Sequence, residues 1–442
     1  MNRATNQTAN EPDHYATNLA VINKVNTVTT TENIYNNLGV LIVAKGTEIS
    51  AHAYQIIIKH KLQKPIENSI QLDNTLTPDK IYLQFTTLTL SSELKSILCN
   101  KMNIDKFMVH CQQLQEYPLL LQKLTVLQAR FPTHYRKTIY GALFSLCLCY
   151  EQKLSYDISN NTFLAALFRD LGLLHIDAMV VDEKGKLSAQ SWKLLQGHVP
   201  IGYNVAKLIP GLAKEVARAV LEHHETTDGF GYPLSKIENK LSLEGQIVAF
   251  ADTFVALFQK HIFQYGRSIS DLIPILQINS GVNLHQNTQA ALRLISAYST
   301  PTNTMKIDAK TIQLGKSLLQ RQPKISRWFE NALQFHKLLA TKHPNCNLQS
   351  TTKFFERQQE MLSRSGICDA LFLDWLRSLD LSHLNIQDAL EIQKSELMLN
   401  EISWQFEQLL KIFKAIAIEV KASSEELITL RTKIDLLQNS LR

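Results

Sequence analysis

Between about Ser91 and Tyr298 the apolar residues recur every three or four positions with few breaks. The stripes run through "LLLQKLTVLQARF", "YGALFSLCLCY", "NTFLAALFRDLG", "WKLLQGHVPIGYNVAKLI", "LAKEVARAVLEHH" and "LEGQIVAFADTFVALF". Each stripe makes one side of a helix apolar, and several such sides can leave water only by covering one another. The chain is therefore expected to be mainly α, with an all-helical core over residues 91–300.

The flanks read differently. Residues 1–18 are polar and nearly without large apolar groups, which suggests a loose tail. In "IYNNLGVLIVAKGTEIS" two short apolar runs flank an Asn-Asn-Leu-Gly turn, as strands do. A helix is expected in "SAHAYQIIIKHKL", with Ser50 as N-cap and Ala53, Ile56 and Ile57 at helical spacing. Residues 19–90 thus form a small α+β accessory module. After "YSTPTNT", a linker broken by Pro301, residues 301–442 turn helical again. Ile402, Phe406, Leu409, Phe413, Ile416, Val420, Ser423, Leu427, Leu430, Ile434, Leu437 and Leu441 alternate steps of four and three. Such a seam suits a coiled coil and a homodimer through the last helix, or equally a hairpin with an upstream helix of the same chain.

Composition narrows the partners. Charged residues are 19% and hydrophobic residues 45% of the 442, as in a soluble globular protein of two or three domains. No run approaches the ~20 apolar residues that span a bilayer, and the opening lacks a secretory pattern, so a cytoplasmic protein is expected. The net charge of +6 is spread among alternating signs, which argues against a nucleic-acid polymer as partner. Six cysteines without Cys-x-x-Cys spacing read as free thiols.

The chemistry gathers around "HHETTDGFGYP" at 223–233. His223 and His224 are adjacent at the end of an amphipathic helix. A lone pair of this kind is more often structural, but other donors lie in otherwise apolar segments: Asp170 in "FLAALFRDLGLL", Asp252 in "GQIVAFADTFVALF", His198 in "LLQGHVPIG" and His134 ahead of Ile139. A carboxylate in such surroundings is costly to bury without a cation. Imidazole and carboxylate sets suit a divalent Fe, Mn, Zn or Ni ion, which makes its bound water acidic enough to attack phosphorus or carbon.

Residues 223–233 follow the pattern His-His-Glu-x-x-Asp-Gly-x-Gly-Tyr-Pro and resemble the HD-GYP family of bacterial cyclic di-GMP phosphodiesterases. The order His134, Arg169-Asp170, His198, His223-His224 and Asp252 is also similar to that of the family, over roughly residues 120–290. The resemblance implies a two-metal hydrolytic centre. Asp170 would be the catalytic bridge, with His198, His223 and His224 on one metal and His134 with Asp252 on the other. Asp228, Gly231, Tyr232 and Pro233 would lie at the substrate.

The chain departs from that pattern where it matters. Arg169 stands for the family's His, Leu173 for its Lys, Arg130 for a Glu ahead of the first His, and Val255 for a second Asp. A guanidinium has no lone pair to give and stays protonated. Arg169 therefore either contacts a substrate phosphate bidentately, or pairs with Asp170 or another freed carboxylate and closes the pocket. His175 is out of register to replace it. The expectation is a degenerate HD-GYP domain, catalytically weak or inactive, holding one ion rather than two, or none. It would act by binding cyclic di-GMP or a signalling partner such as a diguanylate cyclase. The alternative is an active phosphodiesterase yielding pGpG or GMP.

Overall fold

The first helix, α1 (Tyr15–Ile22), begins inside the stretch expected to be a loose tail. Tyr15 and Leu19 are fully buried. The Tyr15 ring stacks on His175 at 5.1 Å and faces the Lys123 ammonium at 3.9 Å. Order here comes from long-range burial, which a polar local composition does not report. The computed structural model describes residues 14–90, 104–183, 185, 187–227, 229–237, 240–264, 267–281, 285–298, 309–343, 348–381, 383–419 and 424–441. The rest of the expected tail and nearly all of the expected linker lie outside these residues.

The accessory module follows its sequence signals. β1 (Val28–Thr30) pairs antiparallel with β4 (Ile70–Leu72), Val28 opposite Leu72, and β2 (Ile34–Tyr35) pairs with β3 (Leu41–Val43). Asn36 accepts hydrogen bonds from the Leu38 and Val40 amides and so closes the turn between β2 and β3. Ser50 caps α2 (Ala51–Ile57) by accepting from the Ala53 amide.

The helical core follows. Its elements are α3 (Pro78–Leu90), α4 (Ile104–Gln112), α5 (Pro118–Arg130), α6 (Pro132–Glu151), α7 (Tyr156–Phe168), α8 (Ala178–Val181), α9 (Ala189–Gln196), α10 (His198–Lys207), α11 (Lys214–Glu222) and α12 (Leu243–Phe258). Pro118 and Pro132 open α5 and α6, where the missing amide proton costs nothing. α6 packs against α7 and α12, and α11 against α7, α10 and α12. Phe144 of α6 stacks on Phe254 of α12 with centroids 3.7 Å apart. Every candidate ligand therefore projects from, or just beyond, a helix anchored in one apolar core.

Two compact units divide the chain: residues 1–226 with 231–259, and residues 227–230 with 260–442. The accessory module shares the first unit with the helical core. The division falls near residue 260, earlier than the boundary at 300 that the sequence suggests. The second unit comprises α13 (Leu272–Ile278), α14 (His285–Tyr298), α15 (Ala309–Lys342), α16 (Gln349–Ser365), α17 (Ala370–Ser378), α18 (Ile386–Glu419) and α19 (Ser424–Leu441). The earlier boundary has a local cause. α13 packs on α18, and the Asn279 side chain donates to Glu401 at 2.8 Å and accepts from Gln405 at 3.0 Å.

The heptad seam is covered within the chain. α15, α18 and α19 pack on one another, burying Ile402, Phe406, Leu409, Phe413, Leu430 and Ile434. Trp328 of α15 stacks on Phe406 at 4.2 Å and donates its indole proton to the Leu437 carbonyl. Val420 and Ser423 of the seam lie outside the described residues. Among the described residues no helix is long and apolar enough to cross a membrane.

Candidate metal centre

α11 ends at Glu222, so His223 and His224 sit just past its last residue, and His198 opens α10. The short turn Leu171–His175 lies against α10. A Cβ at Gly172 would come within 1.9 Å of the His198 carbonyl oxygen, so only glycine allows this approach. That contact brings Asp170, the residue before the turn, beside His198.

One ligand atom from each of His198, His223 and His224 lies within 4.8 Å of the others. His198 and His223 hold their Nδ1 atoms 2.6 Å from the carbonyls of Leu195 and Val220. A carbonyl only accepts, so both Nδ1 atoms carry the proton and both Nε2 atoms present lone pairs. Those Nε2 atoms face each other at 3.3 Å. Two lone pairs so placed repel unless a cation lies between them. A proton is a poor candidate, because burial holds all three imidazoles below their ordinary value, His223 at about 3. A metal ion fits: tetrahedral sites with metal–nitrogen bonds of about 2.0–2.1 Å have nitrogen–nitrogen edges of about 3.3–3.4 Å. Backbone carbonyls holding the far ring nitrogens are the usual support of ligating histidines.

The remaining candidates are organised around Arg169. Its guanidinium is fully buried; Nε lies 3.0 Å from Asp170 Oδ2, and Nη2 lies 3.1 Å from Asp252 Oδ1 and 3.0 Å from the Lys137 carbonyl. Nη1 has no hydrogen-bond partner and rests against Gly141, where a Cβ would come within 2.0 Å of it. Thr138 also donates to Asp170 Oδ2, at 3.3 Å. Burial alone would raise Asp170, but the Arg169 charge, helped by the facing histidines, holds it below the carboxylate range. Asp252 moves the opposite way: burial pushes it up against the pull of Arg169, and the charge on Asp170 adds to the rise. One guanidinium charge thus serves two carboxylates and favours Asp170.

Of the two roles open to Arg169, this geometry has the guanidinium paired with Asp170 and Asp252 and fully buried. Among the described residues Asp170, Asp252 and His134 stand outside the three-histidine group. Asp252 Oδ2 lies 3.8 Å from Nδ1 of His224, and the Asp170 charge acts on all three histidines. His134 is half-buried; burial lowers its imidazole while the Asp170 charge opposes the shift. His175 gives no substitute ligand, because it turns to Lys123, 3.2 Å away, and to Tyr15. Leu173 and Val255 are buried apolar residues, and Arg130 bonds Asn18 and Asp182.

The signature loop is fastened by two carboxylates beside the histidines. Glu225 accepts from the Leu234 and Lys236 amides at 2.6 and 2.9 Å. Glu222 accepts from Lys236 Nζ, Arg218 Nε, and both the amide and hydroxyl of Ser242. Ser242 caps α12, which carries Asp252, so Glu222 joins the loop to the helix beneath the site. Gly231 lies where a Cβ would come within 2.3 Å of Glu225 Cα, and Tyr232 and Pro233 are joined by a cis peptide bond. Tyr232 stacks on His224 at 4.8 Å, and Trp192 of α9 meets Tyr232 edge-on at 5.8 Å. Asp228 lies outside the described residues. Sequence reading missed Glu222, Thr138 and Trp192; for Glu222 the available signal was a carboxylate in the last turn of a strongly amphipathic helix.

Comparison with known proteins places this site in context. Residues 120–285 match the HD domain family. The chain is 32% identical over 130 residues to 3'3'-cGAMP-specific phosphodiesterase 3 of Vibrio cholerae, covering 29% of this chain and 28% of that protein. It is 34% identical over 104 residues to 3'3'-cGAMP-specific phosphodiesterase 2 of the same organism, covering 23% and 19%. It is 28% identical over 121 residues to a cyclic di-GMP phosphodiesterase of Thermotoga maritima, covering 26% and 32%. In each case the shared stretch spans less than a third of the relative.

Proposed function

We propose, from a chain whose HD domain belongs to the HD-GYP family, that this protein binds a cyclic purine dinucleotide at a one-metal centre and hydrolyses it weakly or not at all. One observation carries the reading. The carboxylates that a second ion would need, Asp170 and Asp252, are both occupied by Arg169 at 3.0 and 3.1 Å. The guanidinium supplies in fixed form one of the two positive charges of such a divalent ion, and having no vacant coordination position it cannot acidify a bound water. His198, His223 and His224 would hold the remaining ion. Once bound, a divalent ion polarises a phosphoryl oxygen and acidifies water. The chain itself keeps the three imidazoles neutral, fixes two of their tautomers and places Tyr232 beside them.

Binding without turnover suits a signalling output through a partner protein, such as a diguanylate cyclase, or through a second copy of the chain. Cyclic di-GMP and 3'3'-cGAMP are the ligands to try, since relatives named for each share this domain. The second reading, an active metal-dependent phosphodiesterase, is favoured by the complete histidine triad. A hydrolysis assay on metal-loaded protein decides between them. Binding with no conversion to linear dinucleotide or mononucleotide supports the first reading, and turnover matching an intact family member overturns it.

A further inference from the structure

Trp192 is the unabsorbed feature of this site. It lies on α9, a helix with no buried residue, and keeps 44% of its surface exposed. A large aromatic there adds little to the core, yet its ring is placed by a specific neighbour. It meets Tyr232 edge-on at 5.8 Å, and Tyr232 in turn stacks on His224 at 4.8 Å. The three rings form a ladder leading from the metal-ligand cluster to solvent. The edge-to-face contact restricts the motion of the indole, and 44% of its surface still faces solvent. An exposed, pre-oriented aromatic beside a centre that would hold a phosphate-binding ion is the arrangement on which nucleobases stack, whichever base they carry.

We propose that Trp192 is the nucleobase platform of this site: a purine of the cyclic dinucleotide stacks on its exposed indole while the phosphate lies at His198, His223 and His224. The proposal rests on the nucleotide-binding reading above and adds the residue that recognises the base. Stacking tolerates any purine, so Trp192 contributes affinity for cyclic di-GMP and 3'3'-cGAMP alike.

The test uses the full-length chain, loaded with metal, as wild type, Trp192→Ala and Trp192→Phe. Each is titrated with cyclic di-GMP and with 3'3'-cGAMP by calorimetry and tryptophan fluorescence. The chain has four tryptophans, and Trp192 precedes the other three (Trp328, Trp375 and Trp404) by more than a hundred positions, so a quench at the platform is read as its loss in Trp192→Phe. Expected results are a quench in wild type, binding about 5- to 150-fold weaker in Trp192→Ala for both nucleotides, smaller weakening in Trp192→Phe, and equal metal content throughout. If Trp192→Ala binds as tightly as wild type, the platform falls and the nucleotide reading stands. No binding by wild type overturns both. Loss of metal along with binding in Trp192→Ala also overturns the platform, since Trp192 would then be a structural support of the histidines.

Discussion

Arg169 Nη2 lies 3.1 Å from Asp252 Oδ1 while its Nε lies 3.0 Å from Asp170 Oδ2, so one buried guanidinium bridges two carboxylates. Replacing Arg169 by Met leaves the buried Asp170 and the half-buried Asp252 without that counter-charge. Loss of one partner from a buried ion pair costs about 3–5 kcal/mol, so urea denaturation of metal-free Arg169→Met should show a fall of that order. The histidine variant should behave differently. Arg169→His frees both carboxylates and empties the space beside Gly141, so added Mn²⁺ or Zn²⁺ should stabilise it by more than it stabilises the Met variant, in which only the three-histidine site is left to hold an ion.

The opposed Nε2 atoms of His198 and His223, 3.3 Å apart, predict a metal-dependent melting temperature. At a hundredfold excess over Kd a ligand adds about 2.7 kcal/mol, or about 5–10 °C for a unit of this size. Differential scanning fluorimetry with Zn²⁺, Mn²⁺ and Ni²⁺ should show this rise in wild type and lose it in His223→Ala.

Glu222 is buried and accepts four hydrogen bonds that join Arg218, Lys236 and Ser242. Glu222→Gln replaces two of its acceptor contacts with a donor group and should cost on the order of 1–3 kcal/mol. Hydrogen exchange should localise the loss, with faster exchange at the Ser242 and Gly245 amides at the start of α12 than in wild type.

Glu67 pairs with the fully buried Lys123 at 3.0 Å. Burial would raise its carboxyl, but the charge of Lys123, aided by His175, outweighs this and holds it below the usual range. Its stabilisation is therefore complete above the unfolded carboxylate value of about 4.3, and is lost as pH falls through the lower folded value. Chemical denaturation between about pH 5 and pH 2 should show a steeper loss of stability in wild type than in Glu67→Gln.

How much of this was legible in the sequence differs by element. The helices of the core were readable because apolar period alone sets which side is buried, and Ser50 and the Asn36 turn announced themselves chemically. His198, His223 and His224 were readable as candidate ligands because several imidazole and carboxylate donors recur in otherwise apolar segments, and the fold brings these three together. The direction of Arg169 was not. Both of its readings were compatible with the sequence, and the choice is made by Gly141, whose missing side chain admits the guanidinium into the core. Tyr15 escaped notice because its burial depends on Lys123 and His175, far along the chain. The seam in α18 and α19 was visible as a seam, but a heptad pattern does not name its partner, and here α15 covers it. Trp192 opened one of the apolar stripes and so read as a core residue, yet it is exposed.

The central claim is that one guanidinium has replaced one metal ion. It is tested most directly by the moles of metal bound per mole of chain, measured by plasma mass spectrometry after saturation with Mn²⁺ or Zn²⁺ and removal of free ion. The account predicts one ion in wild type, none in His223→Ala, and two in Arg169→His. Two ions in wild type would contradict it, because Asp170 and Asp252 would then be bound to metal and Arg169 displaced from between them.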